Sequence, residues 1–203
     1  MGPDSLAPLL SSPAVADFSV LVPGYLSADD DRVGSTVSLI RDGDAVVVVD
    51  PGMVRSRAAI LDPMAAVGVA AEDVTDVVIS HHHPDHTLNV ALFPNARVHD
   101  HWAWYRNDLW ISRDAEGFVI SSGVTLWETP GHTPQDISTI VQTDDGVVVC
   151  THLWWTAEGP AEDPYATDPG LVHDNRSRVL GLEPSLIVPG HGPGFAVTGD
   201  TPR

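Results

Sequence analysis

Short runs of β-branched and aliphatic residues recur along the chain, separated by polar turns. Phe18 to Val22 and Ser35 to Ile40 read as strands, and the Asp42-Gly43-Asp44 turn leads into a third, Ala45 to Asp50. Val74 to Ser80 is another, and it runs straight into a cluster of histidines. The second half repeats the style. Val124 to Glu128 is followed by a Pro-Gly turn and the strand Ile137 to Gln142. Next come the Asp144-Asp145-Gly146 turn, the strand Val147 to Cys150 and a last strand, Ser185 to Gly190. Helical spacing occurs over Arg55 to Val67, where Pro63 is expected to interrupt or break the helix. It recurs from near His86 to just before Pro94, and over Val172 to Leu182. Two strand-rich halves with interspersed helices imply two packed sheets with helices outside, in an α/β or α+β arrangement. Residues 1–16, rich in Pro, Ser and Ala, read as a loose lead-in. Residues 17–203 read as one domain, without internal repeat or linker.

Composition narrows the function. No apolar run has the length of a membrane span, and an acidic residue stands near the N-terminus where a secretory signal would carry basic ones. A cytoplasmic protein is the expectation. The one cysteine, Cys150, excludes an internal disulfide and a Cys-rich zinc finger. Net charge is −18, with 28 acidic residues against 10 arginines and no lysine, so a polyanion-binding surface is disfavoured and nucleic acid is not an expected partner. The charge itself reads as solubility.

Four of the ten histidines fall in the stretch His81-His82-His83-Pro84-Asp85-His86. In an extended segment side chains at i and i+2 share a side, so His81 and His83 face one way and His82 the other. His81 with His83, and Asp85 with His86, could serve two neighbouring cations. A solvated histidine tract would be the plain alternative. Against it, His132 follows one Pro-Gly turn, His191 another, and His152 lies just past a strand. Histidines at four strand ends are what a metal site along one edge of a sandwich requires.

The stretch His81 to His86 fits the His-x-His-x-Asp-His signature of the metallo-β-lactamase-fold hydrolases. Asp50 in Val-Asp-Pro-Gly, His132 in Gly-His and His191 in Pro-Gly-His resemble the family's other elements, in its order. The likeness runs from about Val20 to Phe195. It is greatest to the short branch holding the animal metallo-β-lactamase-domain-containing protein, through Val74 to Val98 and Ile187 to Phe195. The resemblance implies an αβ/βα sandwich, two mixed sheets face to face with helices outside, and a binuclear centre at one edge. By carry-over His81, His83 and His132 would hold one metal and Asp85, His86 and His191 the other. Asp50 would orient a ligand rather than bind metal. Zinc is the expected ion, one or two per chain, with manganese and iron chemically compatible.

One position departs from that pattern. Most binuclear members carry Gly-Asp after the strand that corresponds to Val147 to Cys150, and its aspartate bridges the metals; here the residues are Thr151-His152. A neutral imidazole has one lone pair, so His152 is either a terminal ligand on one metal or no ligand. Losing a carboxylate makes the site more positive, which should acidify bound water and weaken retention of a second cation. Cys150 is a rival ligand, with a buried structural cysteine as the default reading. Asp144 and Asp145 are poor substitutes. Without a Ser or Cys nucleophile motif, the implied chemistry is hydrolysis by metal-bound hydroxide, with Asp85 as its catalytic partner. Trp154 and Trp155 follow His152 and suggest a hydrophobic wall for a small ester, thioester, lactone or lactam. Tyr165, in a Pro- and Asp-rich loop over 159–170, is a candidate oxyanion donor, and His99, His101 and His173 are left as surface or structural. A nucleic-acid phosphodiesterase and a non-catalytic metal-binding protein are the alternatives. No residue pattern bears on oligomeric state.

Overall fold

The computed structural model describes residues 15–203, so residues 1–14 of the expected lead-in lie outside the described residues. The first half holds Asp17–Val22 (β1), the small hairpin Tyr25–Leu26 (β2) and Val33–Gly34 (β3), Val37–Asp42 (β4) and Ala45–Val49 (β5). Asp76–Val78 (β6), Arg97–His99 (β7), Ala103–Arg106 (β8) and Leu109–Ser112 (β9) follow. The second half holds Val119–Ser121 (β10), Val124–Glu128 (β11), Ile137–Thr143 (β12), Gly146–Thr151 (β13) and Leu186–Pro189 (β14). The helices are Ala58–Ala66 (α1), Pro84–Thr87 (α2) and Pro169–Leu180 (α3).

Strands β1-β4-β5-β6-β7-β8-β9 form one sheet and β10 to β14 the other. Both are mixed. The pairs β5-β6, β6-β7 and β13-β14 are parallel, and parallel neighbours need a crossover, which α1 supplies before β6 and α3 before β14. Alternation then builds three layers of core. Val47 and Val49 of β5 meet Val78, Leu126, Val141, Val148 and Val188 between the sheets. Val48, one residue out of phase, packs outward with Ile60 and Met64 of α1. On the far side Val149 and Ile187 pack outward with Val172 and Val179 of α3. Helix, sheet, sheet, helix is the αβ/βα sandwich that the resemblance implied.

Three expectations about the helices need correction. Pro63 lies inside α1 and does not break it, because Ile60 and Met64 on either side are wholly buried against the sheet. The helix expected from His86 to Pro94 is split into α2 and a 3₁₀ turn, Val90–Leu92. Asn89 diverts the chain there, its backbone N–H donating to Pro51 O (2.8 Å) and its side-chain amide to Gly52 O (2.6 Å). The helix expected at Val172 starts at Pro169, since Asp168 caps it by accepting from Leu171 N (3.0 Å).

Trp154 does not wall a pocket. It is fully buried in the outer core beneath α3, and its indole N–H donates to Pro202 O (2.8 Å). Beside it the buried Arg176 of α3 donates to Leu153 O (2.8 Å), Ala161 O (2.9 Å) and Pro160 O (2.8 Å), gripping the loop after β13 on both sides. Trp154→Ala should cost about 3–5 kcal/mol, read as a fall in the urea midpoint.

In the other sheet the buried Asp76 accepts from Arg97 Nε (2.8 Å), His99 Nε2 (2.7 Å) and Thr75 Oγ1 (2.8 Å). Burial alone would raise its carboxyl, but the bonds from His99, Arg97 and Thr75 hold it below the ordinary value. A depressed carboxylate contributes stability that is complete above its unfolded pKa of about 4 and is lost as pH falls through the folded value. The stability gap between the wild type and Asp76→Asn should therefore narrow in acid below about pH 4, measured by denaturant melts across pH.

Candidate metal centre

The candidate residues sit where strands end on one edge of the sandwich. Asp50 follows β5, His81 to His86 follow β6, and His132 lies between β11 and β12. His152 follows β13 and His191 follows β14. Asp50 takes a left-handed backbone (φ 50°), an uncommon conformation outside glycine that is over-represented at functional sites. The next turn presses against α2: a Cβ on Gly52 would fall 1.7 Å from Asp85 O, so only glycine fits. Pro84 opens α2 at its first turn, with His83 still extended before it, and this turns Asp85 and His86 back toward Asp50.

Four imidazoles are anchored through Nδ1. His86 Nδ1 donates to Asp50 Oδ2 (2.9 Å), and His132 Nδ1 donates to Asp163 Oδ2 (2.7 Å). His191 Nδ1 donates to Gly34 O (3.1 Å) and His81 Nδ1 lies 3.1 Å from Ser80 Oγ. Ser80 is itself held by Asp50, which accepts from its N–H (2.7 Å) and hydroxyl (2.8 Å). Each anchor fixes the ring and, in the neutral imidazole, leaves Nε2 as the lone pair. His83 presents Nδ1 instead, 2.9 Å from His81 Nε2 and 3.3 Å from His132 Nε2. Asp85 Oδ2 lies 3.4 Å from His86 Nε2 and 3.5 Å from His191 Nε2. His152 lies amid the group, its ring centre 4.3 Å from that of His132, 4.5 Å from His81, 4.8 Å from His86 and 5.0 Å from His191. Two buried trios result, His81-His132-His152 and His86-His152-His191, each with donor atoms within 4.8 Å of one another.

Charge follows the packing. Burial, then the neighbouring imidazoles, push His81 and His152 well below the ordinary histidine value, and His191 falls to about 4 for the same reasons. Burial opposes a charge on His86 too, but the Asp50 carboxylate against it wins and raises it to about 9. Burial likewise raises Asp85, and His86 and His191 beside it reverse this and bring it to about 2. The remaining candidates lie elsewhere. Cys150 faces the core between the sheets, where burial pushes its thiol up to about 12. His99 is buried on Asp76, His82 points away to Asp100 (3.1 Å), and His173 is exposed on α3.

A cavity of about 210 Å³ opens over the cluster, lined by His83, Asp85, His132, His152 and His191 on its floor. Leu26 and Val33 of the β2-β3 hairpin, with Trp155 and Tyr165, complete its lining. The last two stack with ring centres 5.6 Å apart and planes 10° from parallel. Asp163 and the β2-β3 hairpin escaped the sequence reading. Asp163 shares its loop with Glu162 and Asp168, and no spacing marks which of them reaches a histidine. The hairpin strands are two residues each, too short for periodicity.

The sequence model of the metallo-β-lactamase superfamily matches residues 30–103. A Xenopus laevis protein named metallo-β-lactamase domain-containing protein 1 is 34% identical over 189 residues, covering 88% of this chain and 80% of its own. Among solved structures, a metallo-β-lactamase-type protein of Thermotoga maritima superposes with a TM-score of 0.74 at 20% identity, covering 90% of this chain and all (100%) of that one. A dizinc quorum-quenching lactonase in complex with a product superposes with a TM-score of 0.61 at 18% identity, covering 82% of this chain and 77% of that one.

The fold implies a divalent cation, and the donors present fit one. His86 Nε2 is buried with no hydrogen-bond partner among the described residues, and the other anchored rings have their Nε2 free of the anchor. If Asp163 orients His132 for such an ion, Asp163→Ala should weaken zinc binding by about 10–100-fold, measured by competition with a chelating indicator.

Proposed function

Because this chain belongs to the metallo-β-lactamase superfamily, we propose that it is a metal-dependent hydrolase of a small acyl compound, a lactone or simple ester. The observation that carries the reading is the cluster of oriented imidazoles with Asp85 at the floor of a small cavity with apolar walls. Zinc is the ion proposed, held by His81, His83, His132, Asp85, His86, His152 and His191 in some division, and the dizinc lactonase of the same fold supports this choice. When bound, such an ion supplies an activated water and a Lewis acid for the carbonyl oxygen.

The protein's own groups do the rest. Asp85, which His86 and His191 hold as a carboxylate, lines the cavity where it can orient the attacking water and relay its proton toward the leaving alcohol. His86 and His191 flank that carboxylate, their Nε2 atoms 3.4 Å and 3.5 Å from its Oδ2. Asp50 and Asp163 stand behind His86 and His132 and hold the rings still as charge develops. The Trp155-Tyr165 stack and the Leu26-Val33 hairpin receive the apolar part of the substrate and exclude bulk water. Tyr165 is largely exposed at the rim, where its hydroxyl can reach a substrate oxygen.

The cavity favours a small molecule over a nucleic acid. None of the residues that line it is an arginine, and the chain is strongly acidic. A phosphate backbone would meet repulsion where it needs cations.

Chelator treatment should abolish hydrolysis of simple lactones and aryl esters, and added zinc should restore it. Asp85→Asn should lower kcat by about 10²–10⁴ with the fold intact. A zinc-loaded protein that turns over no lactone, ester or thioester would instead support a non-catalytic metal-binding role.

A further inference from the structure

We propose that His152 serves one metal position at a time, so that the chain holds a single divalent cation tightly and a second only weakly. The inference rests on the metal reading above and concerns how the seven donors are divided.

His152 is the residue common to both buried trios. A carboxylate at that place could give one oxygen to each of two cations. A neutral imidazole gives one lone pair and carries an N–H on its other nitrogen. Here the second nitrogen is also blocked by the protein. A Cβ on Gly190 would lie 2.5 Å from His152 Nδ1 and 2.9 Å from Cε1, so this edge of the ring is pressed against the backbone before His191. Nδ1 is buried there with no hydrogen-bond partner among the described residues. Only Nε2 is free to turn toward an ion, and it cannot serve both trios at once.

The surroundings strengthen the competition. Asp85 is the single carboxylate among the seven convergent residues, so two cations would share one anionic ligand with no bridging carboxylate to screen them. The supporting carboxylates are split, Asp50 behind His86 in one trio and Asp163 behind His132 in the other. Either position is thus equipped to fill alone. His152 also lacks the Nδ1 acceptor that His81, His86, His132 and His191 each have. Its ring is fixed by packing against Gly190 rather than by a hydrogen bond, and no anchor aims it at one trio over the other.

Zinc titration of the metal-free protein against a chelating indicator, with elemental analysis after dialysis, tests this without reference to activity. The wild type should retain one equivalent, with a second binding about 100-fold more weakly. His152→Asp should retain two equivalents. His152→Ala, checked for folding by circular dichroism, should weaken the tight step and close the gap between the two. Two equally tight equivalents in the wild type, or a gap unchanged in His152→Ala, would overturn the inference and leave the hydrolase reading standing. A wild type that retains no zinc would overturn both.

Discussion

Everything at this edge of the sandwich depends on one constraint: buried imidazoles whose lone pairs face one another must be held from behind. Rings packed with centres 4.3–5.1 Å apart would otherwise rotate to satisfy their own nitrogens. The anchors come from across the fold. Asp50 rides on the end of β5, Gly34 on the β2-β3 hairpin, Asp163 on the loop before α3, and Ser80 on the end of β6. Both sheets and the outer loop must be in place before the cluster has a defined shape. This explains why the strand ends, rather than one contiguous segment, supply it.

The backbone around the cluster is tied with equal care. Thr36 Oγ1 donates to Gly192 O (2.9 Å), and its N–H donates to Gly190 O (2.8 Å), joining the segment before β4 to the turn after β14. His191 N donates to Trp155 O (2.8 Å), so the segments bearing His152 and His191 run together past the ends of β13 and β14. Gly190 lets the backbone before His191 lie against the His152 ring, and Gly52 lets the turn after β5 lie against α2, at distances that a side chain would forbid. Rigid presentation of donors is the physical requirement of a metal site, and the hydrogen bonds around it are as much a part of it as the donors.

Much of this was legible in the sequence because it is written in local patterns. The β-branched runs of β4, β5, β12 and β13 announce themselves, and the valines at 46 to 49 divide between two cores as alternation demands. The histidine-bearing turns stand next to such strands, so their convergence at one edge could be argued before any coordinates. What escaped was set by contacts between distant residues. Asn89 ends a helix by bonding to the loop after β5, Pro63 survives in α1 because Ile60 and Met64 are clamped, and Trp154 turns outward beneath α3 while its neighbour Trp155 turns inward. Strands β7 to β9 were not foreseen either, since their aromatic residues carry no clean alternation and the Asn107 turn has a left-handed backbone. Asp163 was invisible for a related reason: its importance lies in a single bond to His132 across 31 positions of sequence.

The guanidinium of Arg176 gives the outer layer a part in the inner one. Its three carbonyl partners belong to the residue after His152 and to the two residues at the start of the strap that carries Asp163. Transient fraying of α3 would release that strap, and with it both the ring of His152 and the carboxylate behind His132. Helix and strap would therefore open together, while the β5-β6 side keeps its own anchors. In such an opening the His81-His132-His152 trio would lose two supports and the His86-His152-His191 trio only one, since His86 keeps Asp50 and His191 keeps Gly34.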